Sequence, residues 1–318
     1  MRLVSAAEID AALSFPALVE TLREAFRDGA VQPTRHHHTV TRPAGTPSML
    51  LLMPAWSDFS RGGEGFVGVK VVTVSPDNNL VGKPAVMGSY MLLDGLTCEP
   101  KAIIDGQRLT LWRTAAASAL ASSYLSRPDS RRLLIVGAGA LAPFLARAHA
   151  AVRPIEEVRV WNRTRANADK IAAELAAAGL HAAAHDDLDG SVGWADIVSA
   201  ATISTVPLVR GEALRPGTHV DLVGAFSPAM RESDDAAVAK ARVYVDTRDG
   251  ALKEAGDIVQ AIAEGALKPA GICGDLYDLA RGTAAGRGSP QEITLFKSVG
   301  AAIEDLAAGI AVWKALER

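Results

Sequence analysis

Residues 131–142 read RRLLIVGAGALA. A short apolar run, Arg132 to Val136, ends on Gly137. Gly137, Gly139 and Ala142 then fall in the spacing G-x-G-x-x-G/A, directly before a helical pattern that starts at Leu141. Between a strand and a helix each position has a physical task. The first glycine makes the tight turn, and the second lets backbone N–H groups approach a pyrophosphate. The small third residue lets the helix pack closely on the strand. A glycine-rich turn alone is weak evidence, so the flanking pattern decides.

That pattern alternates. Strands are predicted at Arg132–Val136, Glu157–Trp161, Asp196–Ala201, His219–Gly224 and Val243–Asp246, with helices at Leu141–Ala150 and Thr164–Ala178. Apolar strands separated by helices predict an α/β fold with a parallel sheet covered on both faces, a Rossmann-type dinucleotide-binding domain. Gly137, Ala138, Gly139, Ala140 and Leu141 are then the candidate phosphate loop. The second strand runs into VRVWNRTRANA, 158–168. NAD-binding versions carry Asp or Glu here for the adenosine ribose. This chain has Asn162, Arg163 and Thr164, with Arg165 and Asn167 in the same turn. These side chains can donate to a 2′-phosphate that a carboxylate would repel, so NADP(H) is preferred over NAD(H) as the expected cofactor. The competing reading has Arg163 and Arg165 merely solvating a helix start, where cations oppose the helix dipole.

Upstream, Ser5 and Glu8 have capping-box spacing and open one helix. Ser14, with Pro16 two residues on, opens a second that stops at Gly29. From Val31 to about Lys101 four β-rich runs follow: HHHTVTR, SMLLLMP, GFVGVKVVTVS and VMGSYMLLD. LTLWRTAAASALASSYL is then an alanine-rich helix ended by Pro128. The C-terminal ITLFKSVGAAIEDLAAGIAVWKAL reads as one long helix.

The chain has 318 residues, 49% hydrophobic and 22% charged, the balance of a globular protein. A net charge of -3 gives no electrostatic case for a nucleic-acid partner. Cys98 and Cys273 are the only cysteines and lack metal-type neighbours, which suits a reducing compartment. The N-terminus has no signal-peptide core, and no run approaches the roughly 20 apolar residues that span a bilayer. A soluble cytoplasmic protein with no membrane association is expected.

Longer stretches add a resemblance. QPTR at 32–35, GVKVVT at 68–73, DGQRLTLWRTAAASALA at 105–121, IVGAGA at 135–140, VRVWNRT at 158–164, ALKEAGD at 251–257 and EITLFKSVGAAIEDLAAG at 292–309 resemble the ornithine cyclodeaminase/mu-crystallin family. The resemblance implies a dinucleotide-binding domain, 124–294, set into a second α/β domain built from 1–123 and 295–318. That second domain would carry a homodimer interface. It also implies a small amino-acid or imino-acid substrate whose carboxylate faces Arg35, Lys70 and Arg113. Thr114, Thr202, Ile203, Val223 and Ser298 become expected cofactor contacts.

Physical chemistry supports the three cations. Arginine offers a planar bidentate fork for a carboxylate, and Arg113 is expected near a helix start, where free N–H groups favour an anion. The bland alternatives are a surface arginine for Arg113 and a snorkelling edge-strand lysine for Lys70. His36, His37 and His38 follow Arg35 on a strand. Alternating faces prevent three consecutive histidines from converging on one metal, so no metal is expected and at most one histidine lines the pocket.

Two departures bear on the reaction. Where the family's cyclodeaminases carry a proposed acid/base Asp this chain has Phe226, and where they carry a substrate-contacting Glu it has Leu51. Leu141 stands in place of a Gln in the glycine loop. Cyclodeamination needs a base for the distal ammonium of ornithine, which phenylalanine cannot supply. An apolar wall of Phe226, Leu51 and Met53 suits a flat ring with one carboxylate better than a cationic tail. The expected activity is NAD(P)H-dependent reduction of a cyclic ketimine, pyrroline-2-carboxylate or piperideine-2-carboxylate, with Lys70 as the catalytic proton carrier. Ornithine cyclodeamination, NADPH-dependent small-molecule binding and amino-acid dehydrogenation stand as alternatives. Asp246 and Asp257 read as strand-end and helix-cap residues.

Overall fold

A computed structural model describes residues 1–62 and 65–317. The chain divides into two compact units, Met1–Thr114 with the chain from Ala301 onward, and Ala115–Gly300.

The first unit opens with β1 (Arg2–Val4) and α1 (Ala6–Ala12), the latter held by the reciprocal Ser5–Glu8 cap that the spacing predicts. α2 (Phe15–Asp28) carries Pro16 in its first turn and ends at Gly29, whose φ of 84° suits glycine. Then come β2 (Ala30–Val31), β3 (His36–Val40), β4 (Ser48–Ser57), β5 (Phe66–Val74), β6 (Val86–Asp94) and β7 (Pro100–Asp105). Among the described residues the sheet order is β1-β7-β6-β5-β4-β2, with β3 also pairing with β4. β1 lies parallel to β7 and the other pairings are antiparallel. Three strands, β1, β2 and β7, escape the sequence reading: two have no more than three residues and the third begins on a proline.

α3 (Gly106–Leu125) starts a turn earlier than LTLWRT suggests, because the Asp105 carboxylate accepts from the Arg108 N–H at 2.9 Å and caps it. Arg113 therefore sits in mid-helix. The expectation that free N–H groups around it favour an anion is corrected, since those groups bond within the helix.

In the second unit β8 (Arg132–Val136), α4 (Ala142–Val152), β9 (Glu157–Trp161), α5 (Arg165–Ala177), β10 (Ala182–Ala184), α6 (Leu188–Trp194), β11 (Ile197–Ala200) and β12 (His219–Leu222) follow in order, and of these β10 and α6 are additions to the expected elements. They are followed by α7 (Asp235–Lys240), β13 (Arg242–Val245), α8 (Arg248–Glu254), α9 (Gly256–Ala263), β14 (Ile272–Asp275), α10 (Leu276–Arg281) and β15 (Thr294–Lys297). The strands are parallel in the order β10-β9-β8-β11-β12-β15-β13-β14. β8 has β9 on one side and β11 on the other. Connections leave in opposite directions there, which opens a crevice beyond the strand ends where ligands bind in such sheets.

β15 corrects the single C-terminal helix. Thr294–Lys297 is a fully buried strand between β12 and β13, Gly300 turns with φ 81°, and only then does α11 (Ala302–Leu316) begin. TLFK holds only two apolar residues, Leu295 and Phe296, too short a run to give a period by which strand and helix differ. The compact units divide at 114/115 and 300/301 rather than at the 123/124 and 294/295 that the resemblance implies.

Within the first unit α11 lies on β4, β5 and β6 and against α2, and Lys70 and Val72, two apart on β5, share one face of the sheet with the bare backbone of Gly68. No described helix is long and apolar enough to cross a membrane.

Candidate active site

Lys70 is on β5, a central strand with β4 and β6 as neighbours, and is 2% exposed. The edge-strand alternative is thereby excluded. Its Nζ lies 2.9 and 2.7 Å from the two carboxylate oxygens of Asp305, in the first turn of α11. Arg113, also buried, donates from Nε to the same Asp305 at 2.9 Å and from a terminal nitrogen to Glu304 at 2.8 Å. The surface-arginine alternative fails too. Gln32, from the QPTR stretch, accepts from the Ile303 N–H at 3.1 Å and so caps α11. That cap fixes the chain three residues before Arg35, which is half-buried. Carboxylates in the first turn also lie favourably in the helix dipole.

Two cations sharing one carboxylate out of water perturb one another. Burial, and next the Arg113 charge, pull the Lys70 ammonium from 10.5 down to about 8 although Asp305 opposes this; Arg35 adds to the lowering. Burial raises the Asp305 carboxyl, and Lys70 and Arg113 more than reverse it, so Asp305 stays ionised. Counting formal charges, Arg35, Lys70 and Arg113 against Glu304 and Asp305 leave one positive charge, enough for a single carboxylate guest. Met53 stands directly across from Lys70 and Leu51 across from Val72, so both flank the lysine with apolar surface. Met53 is buried and Leu51 half-buried.

The sequence reading named neither Glu304 nor Asp305 as site residues. Their signal was the acidic pair in FKSVGAAIEDLAAG, hidden by reading that stretch as one helix. Tyr90 was also missed. It pairs with Lys70 across β5–β6, and its hydroxyl occupies the space that a Cβ on Gly68 would take, 1.8 Å away. His36, His37 and His38 are exposed on β3, with the rings of His36 and His38 6.2 Å apart. Among the described residues no three His, Cys, Asp or Glu side chains gather as a metal site.

In the second unit Gly137 has φ 107°, and a Cβ there would meet the Ala201 carbonyl oxygen at 2.7 Å and the Thr202 methyl at 3.0 Å. A Cβ on Gly139 would meet nothing within 4 Å. Ala138, Gly139, Ala140 and Leu141 thus form an open turn before α4, whose N-cap, Leu141, makes no side-chain cap. Free amides face outward at a helix start, as a pyrophosphate requires. Ser298 adds a buried hydroxyl with no partner among the described residues, beside the end of β12. These features fit a dinucleotide.

The other expected contacts divide. Arg163 and Thr164 are exposed, and Thr164 is the N-cap of α5 but makes no side-chain cap there. The Asn162 amide donates to the Thr164 carbonyl, and Asn167 is exposed on the first turn of α5. Arg165 is engaged by Asp169 and Asp186. Ile203 is 73% exposed; Val223 and Thr114 are buried. Thr202 turns both its N–H and its hydroxyl toward Glu232, which leaves its methyl toward the glycine loop. Phe226 lies in the loop beyond β12, 40% exposed.

A family model described as ornithine cyclodeaminase/mu-crystallin matches residues 1–318. The chain belongs to this family. Within it, the chain is 44% identical over 306 residues to Protein SAR DEFICIENT 4 of Arabidopsis thaliana, covering 92% of each. It is 42% identical over 297 residues to the Delta(1)-pyrroline-2-carboxylate reductase of Paracoccus denitrificans, covering 90% of this chain and 91% of the relative. Among solved structures it is similar to the Thermococcus litoralis Delta(1)-pyrroline-2-carboxylate reductase in complex with NADH and L-proline. There the TM-score is 0.93 at 33% identity, covering 100% of this chain and 98% of that one.

Proposed function

We propose that this member of the family reduces cyclic ketimino acids, pyrroline-2-carboxylate or piperideine-2-carboxylate, to proline or pipecolate, with NADPH preferred over NADH. The observation that carries this is the buried Lys70–Asp305–Arg113 cluster: one net positive charge, beside apolar Met53 and Leu51, with a lysine poised at about pH 8. The relatives named as pyrroline-2-carboxylate reductases support the same substrate.

Gly137–Leu141 and the N-terminus of α4 would hold the pyrophosphate, and Arg163 with Thr164 the 2′-phosphate. When bound, the reduced nicotinamide supplies a hydride to the imine carbon. Arg35 and Arg113 orient the substrate carboxylate. As the C=N π electrons move to nitrogen, Lys70 gives it a proton directly or through water. Asp305 keeps the lysine aimed and Glu304 aims Arg113. Lys70 is reset from solvent.

Cyclodeamination lacks its base. Phe226 stands at the expected position, and Glu232, in the same stretch, is fully buried and holds backbone amides. We also place a second copy of the chain on the sheet face that points away from α11, where Val71 and Met91 are 39% and 36% exposed. Two free, exposed cysteines support a reducing, cytoplasmic setting.

The test follows NADPH and NADH absorbance with each ketimine, with ornithine and ammonia detection in parallel. Ketimine-dependent oxidation with ornithine inert is the expected result. Ammonia and proline from ornithine would sink the proposal, and ligand binding without turnover would turn it toward a binder.

A further inference from the structure

β11 and β12 are adjacent parallel strands, and the loops leaving them begin with Ala201–Thr202 and Val223–Gly224. The first loop abuts the glycine turn, since a Cβ on Gly137 would strike Ala201 and Thr202. A single side chain ties the two loops together. One oxygen of Glu232 accepts from the Thr202 N–H at 2.6 Å and its hydroxyl at 2.9 Å. The other accepts from the Gly224 N–H at 2.7 Å and the Ala225 N–H at 3.3 Å. The loops are so close that a Cβ on Gly224 would fall 1.9 Å from the Thr202 carbonyl oxygen and 2.6 Å from Glu232 itself.

Behind this carboxylate sits a second buried layer. Asp257 accepts from the N–H groups of Glu232 and Ser233 and from the Ser233 hydroxyl, which fixes the backbone that carries Glu232. Lys297, at the end of β15, has its Nζ 3.5 Å from Asp257 and 3.9 Å from Glu232, with no hydrogen-bond partner among the described residues. At these distances it acts through charge. All three side chains are 0% exposed, so the lysine is the compensation that lets two carboxylates stay buried together.

We propose that Glu232 is a positioning residue for the nicotinamide dinucleotide: its carboxylate clamps the β11 and β12 loops at the ligand crevice, and Asp257 and Lys297 hold the clamp. This rests on the reading that these loops border the bound nucleotide. Glutamine could not substitute. An amide has one acceptor oxygen, and whichever way it turns its NH2 faces donors from one loop. Aspartate keeps both acceptors but is one methylene short.

Protonation acts in the same direction as glutamine. Burial first, and Asp257 further, raise Glu232 to about 7 against the Lys297 charge. Lys297 from β15 and Asp257 from α9 are the charged groups facing it among the described residues; the loops offer only amides and a hydroxyl. Below that pH the carboxyl loses acceptor capacity and the clamp loosens.

The experiment uses the full-length protein with NADP+ and no substrate. Calorimetric Kd values from pH 6 to 8.5 are compared for wild type, Glu232→Gln and Glu232→Asp. Hydrogen exchange is measured on the nucleotide-free proteins. We expect Glu232→Gln to weaken NADP+ about tenfold or more, as loss of a charged hydrogen bond does, with Glu232→Asp between it and wild type. Amides of Thr202, Gly224 and Ala225 should exchange faster while those of β8 and β9 do not. Wild-type affinity should fall below about pH 7 by more than the shared titration of the 2′-phosphate, an excess that Glu232→Gln lacks. An unchanged Kd, or faster exchange throughout the unit, overturns the inference. Absence of binding of both NADP+ and NAD+ by the wild type would instead overturn the nucleotide reading beneath it.

Discussion

Lys70 and Asp305 are 235 positions apart in the chain and 2.7 Å apart in the structure. One comes from the middle of a sheet and the other from the first turn of the last helix, and Arg113 meets the same carboxylate. A lysine so placed can hold or release its proton near neutrality, because burial and a neighbouring guanidinium weaken its charge while one aspartate sustains it.

The pH dependence follows with a definite sign. Lys70 is depressed from 10.5 to about 8, so it is protonated below that pH and neutral above. Reduction of a ketimine needs the proton, and kcat for reduction should fall as pH rises through about 8. Oxidation of proline needs an acceptor and should rise through the same window. Lys70→Met should lower turnover about 100-fold or more, the usual weight of a general acid, and erase the inflection. A profile with the same inflection in Lys70→Met would assign the titration elsewhere.

Removing Asp305 separates its positioning role from its part in stability. Asp305→Asn leaves Lys70 and Arg113 buried, mutually repelling and without their shared anion. Breaking a buried pair this way costs about 3–5 kcal/mol. Thermal unfolding should shift down accordingly, and in the protein that remains folded the kcat inflection should move below 8. An unchanged inflection would mean that Asp305 does not set the lysine's proton affinity.

Tyr90 gives an opposite stability prediction. Its hydroxyl is fully buried with no partner among the described residues, and burial, then Asp305, push its ionisation well above 10. An unsatisfied hydroxyl in the core costs about 1–3 kcal/mol. Tyr90→Phe should therefore raise the melting temperature and leave the ketimine KM unchanged. A lower melting temperature would reveal a hydrogen bond that the hydroxyl makes; unchanged stability with lost turnover would make the tyrosine a catalytic residue.

What was legible in the sequence was whatever is local. The capping box, the glycine loop and the strands on either side of β8 are each specified within a few residues. The cations were legible through the family resemblance, which the apolar settings of Lys70 and Arg113 support and the polar QPTRHHH around Arg35 does not. Their anions were not, because Glu304 and Asp305 look like an ordinary helix start until the fold brings α11 onto β5. β15 was hidden because the four residues TLFK are too few to show a period, and with it Lys297. Glu232 was hidden because its partners are backbone amides, which every residue has. Arg113 was placed at the wrong depth in its helix because the cap is Asp105, four residues before Leu109, the first apolar position.

The proposed preference for NADPH turns on two exposed side chains at the start of α5. Arg163 makes no ion pair among the described residues, whereas Arg165 is held by Asp169 and Asp186. Arg163 is therefore the cation with freedom to meet a 2′-phosphate. Arg163→Asp should raise the KM for NADPH about tenfold or more, the loss of one charge-assisted contact, and change the KM for NADH much less. Arg165→Ala should have a smaller effect on NADPH, because that side chain already has carboxylate partners. Steady-state KM values for both nucleotides at one fixed ketimine concentration decide it. Equal KM values for NADPH and NADH in the wild type would remove the proposed preference. A larger loss from Arg165→Ala would move the phosphate contact to that residue.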